Sequence, residues 1–392
     1  MSAPRLIDED AALARVLPEL AAAETLALDC EGNGLFAYRA RLCCTQFAWF
    51  DGGALQVVVI DPFAVELAPL APILGPEGPR KVLHDLTFDA RMLQDAGLEL
   101  GHVWDTSVAA RFLGEEATGL ASLAKAHLGV ELDKGLQHHD WSQRPLRERE
   151  LAYLAGDVRH LLGLAEVLER LVMDHGIVEE VRLEVEYKLG TGLAPPKATR
   201  PAHERIKGYR KLSPVERSIL KSLCETRDEL AAEVDRPAFK IASDSALLQV
   251  AKIKPHSGKA LRRVGHKSLL RRPGPWLSAV TRGIEAGGLA LEEPDPETLL
   301  SREEVKLRHA LEDRLSSWRR AEAKARGVDL QVILPGHCTG PLTSTLLDDE
   351  AGGATPLSTR LAAIPGLGET RIARYAAAWS ALAEDARASR AE

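Results

Sequence analysis

The stretch that most constrains how this chain can fold is Thr25-Leu26-Ala27-Leu28-Asp29-Cys30-Glu31. A short apolar run with these flanks has the length of a buried β-strand. Strand side chains alternate between the two faces of a sheet, so Asp29 and Glu31 share one face and Cys30 points to the other, into a core. Two carboxylates side by side at the end of an apolar strand repel each other unless a cation lies between them or the strand end reaches water. Both readings are open on this stretch alone.

The residues around it predict an α/β domain. Asp8–Ala23 reads as an amphipathic helix, capped by Asp8, with Leu13, Val16, Leu17 and Leu20 along one face. Residues 41–50 and 54–60 are strands flanking Asp51-Gly52-Gly53, a hairpin signal. Lys81–His84 and Val103-Trp104 are short strands. Helices follow them over Leu86–Ala96, from a cap at Asp105 to Leu113, and over Leu120–Leu128. From Arg147 to Leu171 one helix is expected, with Leu151, Leu154, Ala155, Val158, Leu161, Leu162, Ala165 and Leu168 at helical spacing. Strands followed by alternating helices give a mixed sheet with flanking helices.

Thr191–Pro201, with Gly192, Pro195, Pro196 and Pro201, reads as a linker. Residues 212–285 look all-helical: Ser213-Pro214 opens a helix to about Val234, and Ser243 opens another to Ala251. Leu261–Leu270 and Trp276–Ile284 are two more. Glu293-Pro294-Asp295-Pro296 marks a second break, and 301–326 is a long charged helix containing Trp318. An irregular, Gly-rich patch is expected at 335–356, and Ile364-Pro365-Gly366-Leu367-Gly368 leads into a final helix through Leu382.

At 392 residues the chain is too long for one ordinary core, so two or three domains are expected. The N-terminus turns acidic at once, unlike a secretory signal, and no apolar segment is long enough to span a bilayer. Cys30, Cys43, Cys44, Cys224 and Cys338 form no Cys-x-x-Cys pair, which fits buried free thiols in a reducing cytosol and not a disulfide or zinc scaffold. The total charge of −7 hides an asymmetry: residues 1–196 carry −14, residues 197–290 carry +11 and residues 291–392 carry −4. A basic segment of that size beside an acidic one is a footprint of nucleic-acid binding; the alternative is a basic face that serves solubility.

Four acidic positions stand on elements that could meet: Asp29 and Glu31 on a strand, Asp89 at a helix start and Asp157 on a later helix. Tyr153 and Asp157 are four apart, hence on one helix face. Asp157 lies among Ala155, Gly156 and Val158, where a carboxylate needs a partner. Carboxylates converging from separate elements are what Mg²⁺ or Mn²⁺ requires. Two such ions roughly 3.5–4 Å apart can activate a water and stabilise the leaving oxygen of a phosphodiester displacement. Tyr153, one turn from Asp157, is placed to hold that water. His84, His138 and His139 suit hard ions poorly and read as structural or solvent-facing.

At these residues the chain resembles the ribonuclease D family of 3′→5′ exonucleases, whose sites carry Asp-Glu-Asp-Asp with a tyrosine. The first motif lies at Asp29-x-Glu31, followed by Arg41-Leu42-Cys43-Cys44-Thr45-Gln46. The second runs from His84 to Asp89, and the third is Tyr153-x-x-x-Asp157. Between them, Leu132-Asp133-Lys134 and Asp140-Trp141-Ser142-x-Arg144-Pro145-Leu146 are the most specific match. Residues 209–290 resemble the helical HRDC module, from Lys211-Leu212-Ser213-Pro214 through Arg227-Asp228-Glu229-Leu230-Ala231 to Leu247–Ala251. Residues 297–392 resemble a divergent second copy, on Trp318-Arg319-Arg320 and the Pro365–Gly368 turn, whose amides could also hold a phosphate. Two positions depart from the family: Gly32 replaces a bulky residue near the terminal base, and Thr226 stands where tryptophan is common.

The resemblance implies a ribonuclease-H-like exonuclease domain over 1–190, a linker over 191–208, a basic HRDC-like domain over 209–290 and a second over 297–392. It implies two divalent ions, Mg²⁺ or Mn²⁺. Asp29, Glu31 and Asp157 hold the one that generates the nucleophile; Asp29 and Asp89 serve the second, and Tyr153 orients the water. The implied activity is stepwise release of 5′-mononucleotides from RNA 3′ ends, in tRNA precursors or other structured RNA, by a cytoplasmic monomer. Lys134, Arg144, Lys211, Arg262 and Arg263 are candidate nucleic-acid contacts, with a structural ion pair the equal alternative for Arg144. Trp141 reads as core and not as a stacking platform. The competing readings are a DNA 3′ exonuclease and a decayed RNA-binding scaffold. The intact set of carboxylates and tyrosine argues against the scaffold. Nothing here reads a 2′-hydroxyl, so RNA over DNA rests on resemblance.

Overall fold

The computed structural model describes residues 3–193, 200–291, 300–348 and 355–389. Among them six strands form one sheet: β1 (Arg5–Ile7), β2 (Thr25–Gly32), β3 (Leu42–Asp51), β4 (Ala54–Ile60), β5 (Arg80–Leu83) and β6 (Val103–Asp105), in the order β1-β4-β3-β2-β5-β6. β3 and β4 pair antiparallel from Thr45↔Ile60 to Asp51↔Ala54. Their turn has Gly52 and Gly53 at φ +54° and +83°, the left-handed pair that matches the twist of a tight hairpin. β1 pairs parallel with β4, β2 with β5, and β5 with β6, so the sheet is mixed. Nothing in the sequence announces β1, whose three residues are too few to show a period.

β2 is a central strand, and both of its faces are covered, which is why Leu26, Ala27 and Leu28 read as an unbroken apolar run. Leu26, Leu28 and Cys30 face the main core with Phe47, Leu83 and Leu93. Ala27 faces a second cluster with Ala155, Val158 and Leu161. Asp29 and Glu31 fall on the Ala27 side by alternation, toward the helix that carries Asp157.

The helices of this part are α1 (Asp10–Ala22), α2 (Thr87–Asp95), α3 (Thr106–Phe112), α4 (Glu148–Arg159), α5 (Leu161–Asp174) and α6 (Val178–Leu193). Three expectations are corrected. The cap of α1 is Glu9, which makes no side-chain bond there, and Asp8 is exposed outside the helix. Leu120–Leu128 is an α-turn, Leu120–Leu123, running into a π-helical turn, Ala124–Leu128. Arg147–Leu171 is two helices, broken where the His160 N–H turns to Val158 O; the apolar spacing runs on through the break, so periodicity carried no sign of it. No amphipathic stripe announced α6, because it is covered on two sides: Val181 and Val185 join the main core, and Glu180 and Glu184 are also buried.

Residues 32–41 and 200–291 form a separate compact unit. Its helices are α7 (Pro214–Glu233), α8 (Asp244–Ile253) and α9 (Pro273–Glu285). α7 opens on a Ser213/Glu216 capping box with Pro214 at its first position, and α8 on Ser243. The expected helix Leu261–Leu270 is instead three short pieces, because Gly265 at φ +77° ends the chain's helical path. α7 and α9 meet backbone to backbone: a Cβ on Gly283 would lie 2.4 Å from Ile219 Cα, so only glycine fits. Thr226, in place of a tryptophan, is buried and accepts a hydrogen bond from Arg282 at 2.7 Å. In the same unit the Tyr38 hydroxyl donates to Asp228 at 2.6 Å and its N–H to Asp235 at 3.0 Å.

The C-terminal helices are α10 (Arg302–Arg326), α11 (Gly336–Leu347) and α12 (Glu369–Ala388). α11 corrects the expected irregular patch at 335–356. Glycine and proline made it look broken, yet Cys338, Leu342, Thr343 and Leu346 are buried on it and outweigh propensity. Residues 300–348 and 355–389 belong to the compact unit of the sheet. Val332 lies in the main core, and the Asp329 N–H donates to Phe112 O at 3.3 Å. The linker expected from Thr191 starts later, because Thr191–Leu193 are still the last turn of α6; its residues 194–199, and the expected break at 293–296, lie outside the described residues.

Candidate active site

β2 delivers Asp29 and Glu31, α2 delivers Asp89, and α4 delivers Tyr153 and Asp157. One carboxylate oxygen each of Asp29, Glu31 and Asp157 lies within 4.8 Å of the others; among the described residues this is the one group of three or more acidic, histidine or cysteine side chains that could grip an ion. All three are half-buried. Asp89 stands outside this trio, deeper, at 3% exposure, with Oδ1 buried and without a hydrogen-bond partner.

Crowding of like charge in a dry place sets the protonation. Burial lifts the Asp29 carboxyl to about 7. Burial, then Asp29 and Asp157, lifts Glu31 to about 9. Burial, then Asp29 and Asp133, lifts Asp157 to about 8. Asp89 is pushed well above the ordinary range by burial and then by Asp29. Backbone amides pull the other way, that of Cys30 at Asp29, and those of Asp89 itself and then Cys30 at Asp89. A donor set made only of carboxylates, each disfavoured as an anion by burial and all but Asp29 also by neighbouring carboxylates, one with an orphaned buried oxygen, is the environment a hard divalent cation relieves. The residues present fit that group.

The supporting residues explain how these side chains hold their places. Gln46 on β3 is fully buried and donates from Nε2 to Asp29 Oδ2 at 2.9 Å. Asp105 caps α3 through the N–H groups of Ser107 and Val108, at 2.7 and 3.0 Å. The same carboxylate accepts from the N–H groups of Asp85 and Leu86, at 3.2 and 2.8 Å, and so fixes the turn that leads into α2 and Asp89. The cap was legible in the sequence, and this second duty was not. Gln46 as a partner of Asp29, and Asp133 as a further negative charge beside Asp157, were missed as well. A polar side chain in an otherwise apolar strand was the available signal for Gln46.

Burial, then Asp157, Glu31, Asp29 and Asp133, raises the Tyr153 phenol, which therefore stays protonated as a donor. Its ring packs against Trp141 at 5.6 Å, and Trp141, 1% exposed, is a core residue. His139 meets the Trp141 ring edge-on at 5.0 Å and lies 3.3 Å from Glu150, while His84 Nδ1 is 2.8 Å from the Thr106 hydroxyl.

Arg144 has its guanidinium committed internally. It bonds both oxygens of Asp61, at 2.6 and 2.7 Å, and the carbonyls of Cys43, Trp141 and Gln143, at 2.7, 2.8 and 2.8 Å. With those donors spent, the ion-pair alternative accounts for it and a phosphate contact does not. Lys134, Lys211, Arg262 and Arg263 are exposed. The amides after the Pro365–Gly368 turn are also occupied: Glu179 accepts from the N–H groups of Glu369 and Thr370, at 3.2 and 2.9 Å. The turn that could have held a phosphate holds a carboxylate of α6 instead.

Residues 4–173 match the 3′-5′ exonuclease family and residues 216–277 match the HRDC domain. Fold and site together define a 3′→5′ exonuclease joined to an HRDC module. Ribonuclease D of Cronobacter turicensis is 32% identical over 75% of this chain and 79% of its own length. Ribonuclease D of Haemophilus influenzae is also 32% identical, over 67% of this chain, and the match spans 65% of that relative's length. The chain belongs to the ribonuclease D family. Its fold is similar to that of Escherichia coli RNase D, described as an exoribonuclease involved in structured RNA processing, with a TM-score of 0.70 at 23% identity over 98% of this chain and 99% of that one. Among the described residues no helix is long and apolar enough to cross a membrane.

Proposed function

We propose that this chain is a divalent-metal-dependent 3′→5′ exoribonuclease that removes 5′-mononucleotides one at a time from RNA, acting on tRNA 3′ ends or other structured RNA as a cytoplasmic monomer. The observation that carries the reading is the convergence of Asp29, Glu31 and Asp157 within 4.8 Å, with the orphaned Asp89 oxygen beside Asp29. In this reading Asp29, Glu31 and Asp157 hold one divalent ion, and Asp29 and Asp89 a second, either Mg²⁺ or Mn²⁺. When bound, such ions supply an activated water and charge stabilisation at the leaving 3′ oxygen. Asp29 is shared, and Gln46 holds its carboxylate in orientation. Tyr153, protonated, donates its phenolic hydrogen to the attacking water and fixes the line of approach. Trp141, packed against the phenol ring, keeps it from swinging away.

Residues 209–290 are read as the HRDC-like domain that binds the body of the RNA, with Lys211, Arg262 and Arg263 on phosphates and Lys134 nearer the 3′ end. Residues 297–392 are read as a divergent second module of that kind; the packing of Leu315, Tyr375 and Trp379 into one core supports it. The substrate is tested by offering RNA and DNA oligonucleotides of one sequence side by side. Single-nucleotide shortening of RNA supports the reading, and shortening of DNA alone establishes the DNA exonuclease in its place.

A further inference from the structure

The HRDC-containing unit carries a cleft of about 380 Å³ that the nuclease chemistry does not use. Its lining combines apolar side chains, Leu230, Val234, Ile241 and Trp276, with four cations, Arg236, Lys240, Arg271 and Arg272. Val234 leaves 45% of its surface open at the edge of this cleft. Two of the cations are occupied: Arg272 bonds both oxygens of Glu233 at 3.0 Å, and Lys240 lies over the Phe36 ring at 4.6 Å. Arg236 and Arg271 have no side-chain partner among the described residues. The surrounding sequence shares their sign, since residues 245–284 include nine Lys and Arg and no Asp or Glu.

An inorganic anion would need the guanidinium groups and not the apolar wall; an apolar ligand would need the reverse. A ligand that needs both has a planar, weakly polar body with an anion attached. We propose that this cleft takes one unstacked nucleotide of a single strand, with the base against Val234 and Ile241 and the adjoining phosphates on Arg236 and Arg271. Guanidinium groups suit this double duty because they bind phosphate bidentately and also stack on bases. Base stacking tolerates any sequence, so the cleft would grip single-stranded RNA without reading it. This deepens the exonuclease reading and rests on it only for the identity of the polymer.

The test uses the full chain in EDTA, so that no strand is cleaved, and compares a 12-nucleotide single-stranded RNA with the same backbone made abasic throughout, by fluorescence anisotropy at several salt concentrations. The wild type should bind the base-bearing strand at least tenfold more tightly. In Val234→Asp that preference should vanish, while R236A/R271A should weaken both strands and flatten their salt dependence. 4-Thiouridine in the RNA should crosslink to residues 234–241 or 268–276. Equal affinity of the two strands for the wild type, or crosslinks only elsewhere, overturns the nucleotide cleft and leaves a basic surface. Binding of an acidic, aromatic peptide that RNA fails to displace overturns it in favour of a protein partner. Metal-dependent cleavage of a dinucleotide, measured in parallel, reports on the exonuclease reading separately.

Discussion

At the scale of single residues, the proposed mechanism rests on four carboxylates and one phenol. Asp157→Asn keeps the shape and removes the charge, and should lower single-nucleotide release by at least about a hundredfold. Tyr153→Phe should reduce kcat by roughly 10²-fold while leaving Mn²⁺ affinity unchanged, because the hydroxyl orients water and holds no ion. A matched loss of metal affinity would remove Tyr153 from that role. The protonation pattern gives a second expectation. Without a cation, Asp29, Asp157 and Glu31 titrate near 7, 8 and 9, against about 4 in an unfolded chain. Between those limits the native state binds more protons than the unfolded one, so the stability of the cation-free protein falls as pH rises through that window and levels off above it. The melting temperature in EDTA should therefore drop from pH 5 to pH 9, and Mn²⁺ should raise it more at pH 8 than at pH 5. Calorimetry at pH 7 in two buffers of different ionisation enthalpy should detect protons released on Mn²⁺ binding. A melting temperature indifferent to pH, with no proton release, contradicts the crowded-carboxylate description.

At the scale of elements, the site was legible where local periodicity decides which way a side chain points. Alternation along β2 put Asp29 and Glu31 on one face, and a four-residue step on α4 put Tyr153 beneath Asp157. What depends on which elements are neighbours was not legible. Gln46 reaches Asp29 because β3 lies beside β2 in the sheet, and Asp105 steadies the Asp89 turn because β6 lies beside β5. α7, whose Ser213-Pro214 start is written in the sequence, and the long charged α10 were found within a residue or two; α6 and α11 were not, since their burial comes from packing on segments distant in sequence. The pair of Arg144 and Asp61 belongs at this scale too. With Arg144 at 24% and Asp61 at 8% side-chain exposure, removing one partner strands a mostly buried charge. Arg144→Ala should then cost on the order of 3–5 kcal/mol in stability. RNA affinity and its salt dependence should stay as they are; a reduced salt slope at unchanged melting temperature would restore the phosphate role.

At the scale of the whole molecule, division of charge and division of packing follow different boundaries. The acidic sheet unit includes residues 300–348 and 355–389, whose Val332 lies in its main core and whose α12 is capped by Glu179. Truncation after residue 299 should lower the melting temperature of the sheet unit, whereas an independent tail would leave it unchanged. The basic stretch should act through phosphates: replacing Lys211, Arg262 and Arg263 with alanine should weaken binding to long RNA and reduce the slope of log affinity against log salt by about one for each phosphate no longer neutralised. Cleavage of short oligonucleotides should survive that change. The most direct measurement of the central claim is a length ladder, with 5′-labelled RNA incubated with wild type or Asp29→Asn in Mg²⁺, in Mn²⁺ and in EDTA. A four-carboxylate metal site predicts shortening from the 3′ end in single-nucleotide steps for the wild type with either metal, and none for the variant or in EDTA; shortening that persists in EDTA, or in Asp29→Asn, would contradict it.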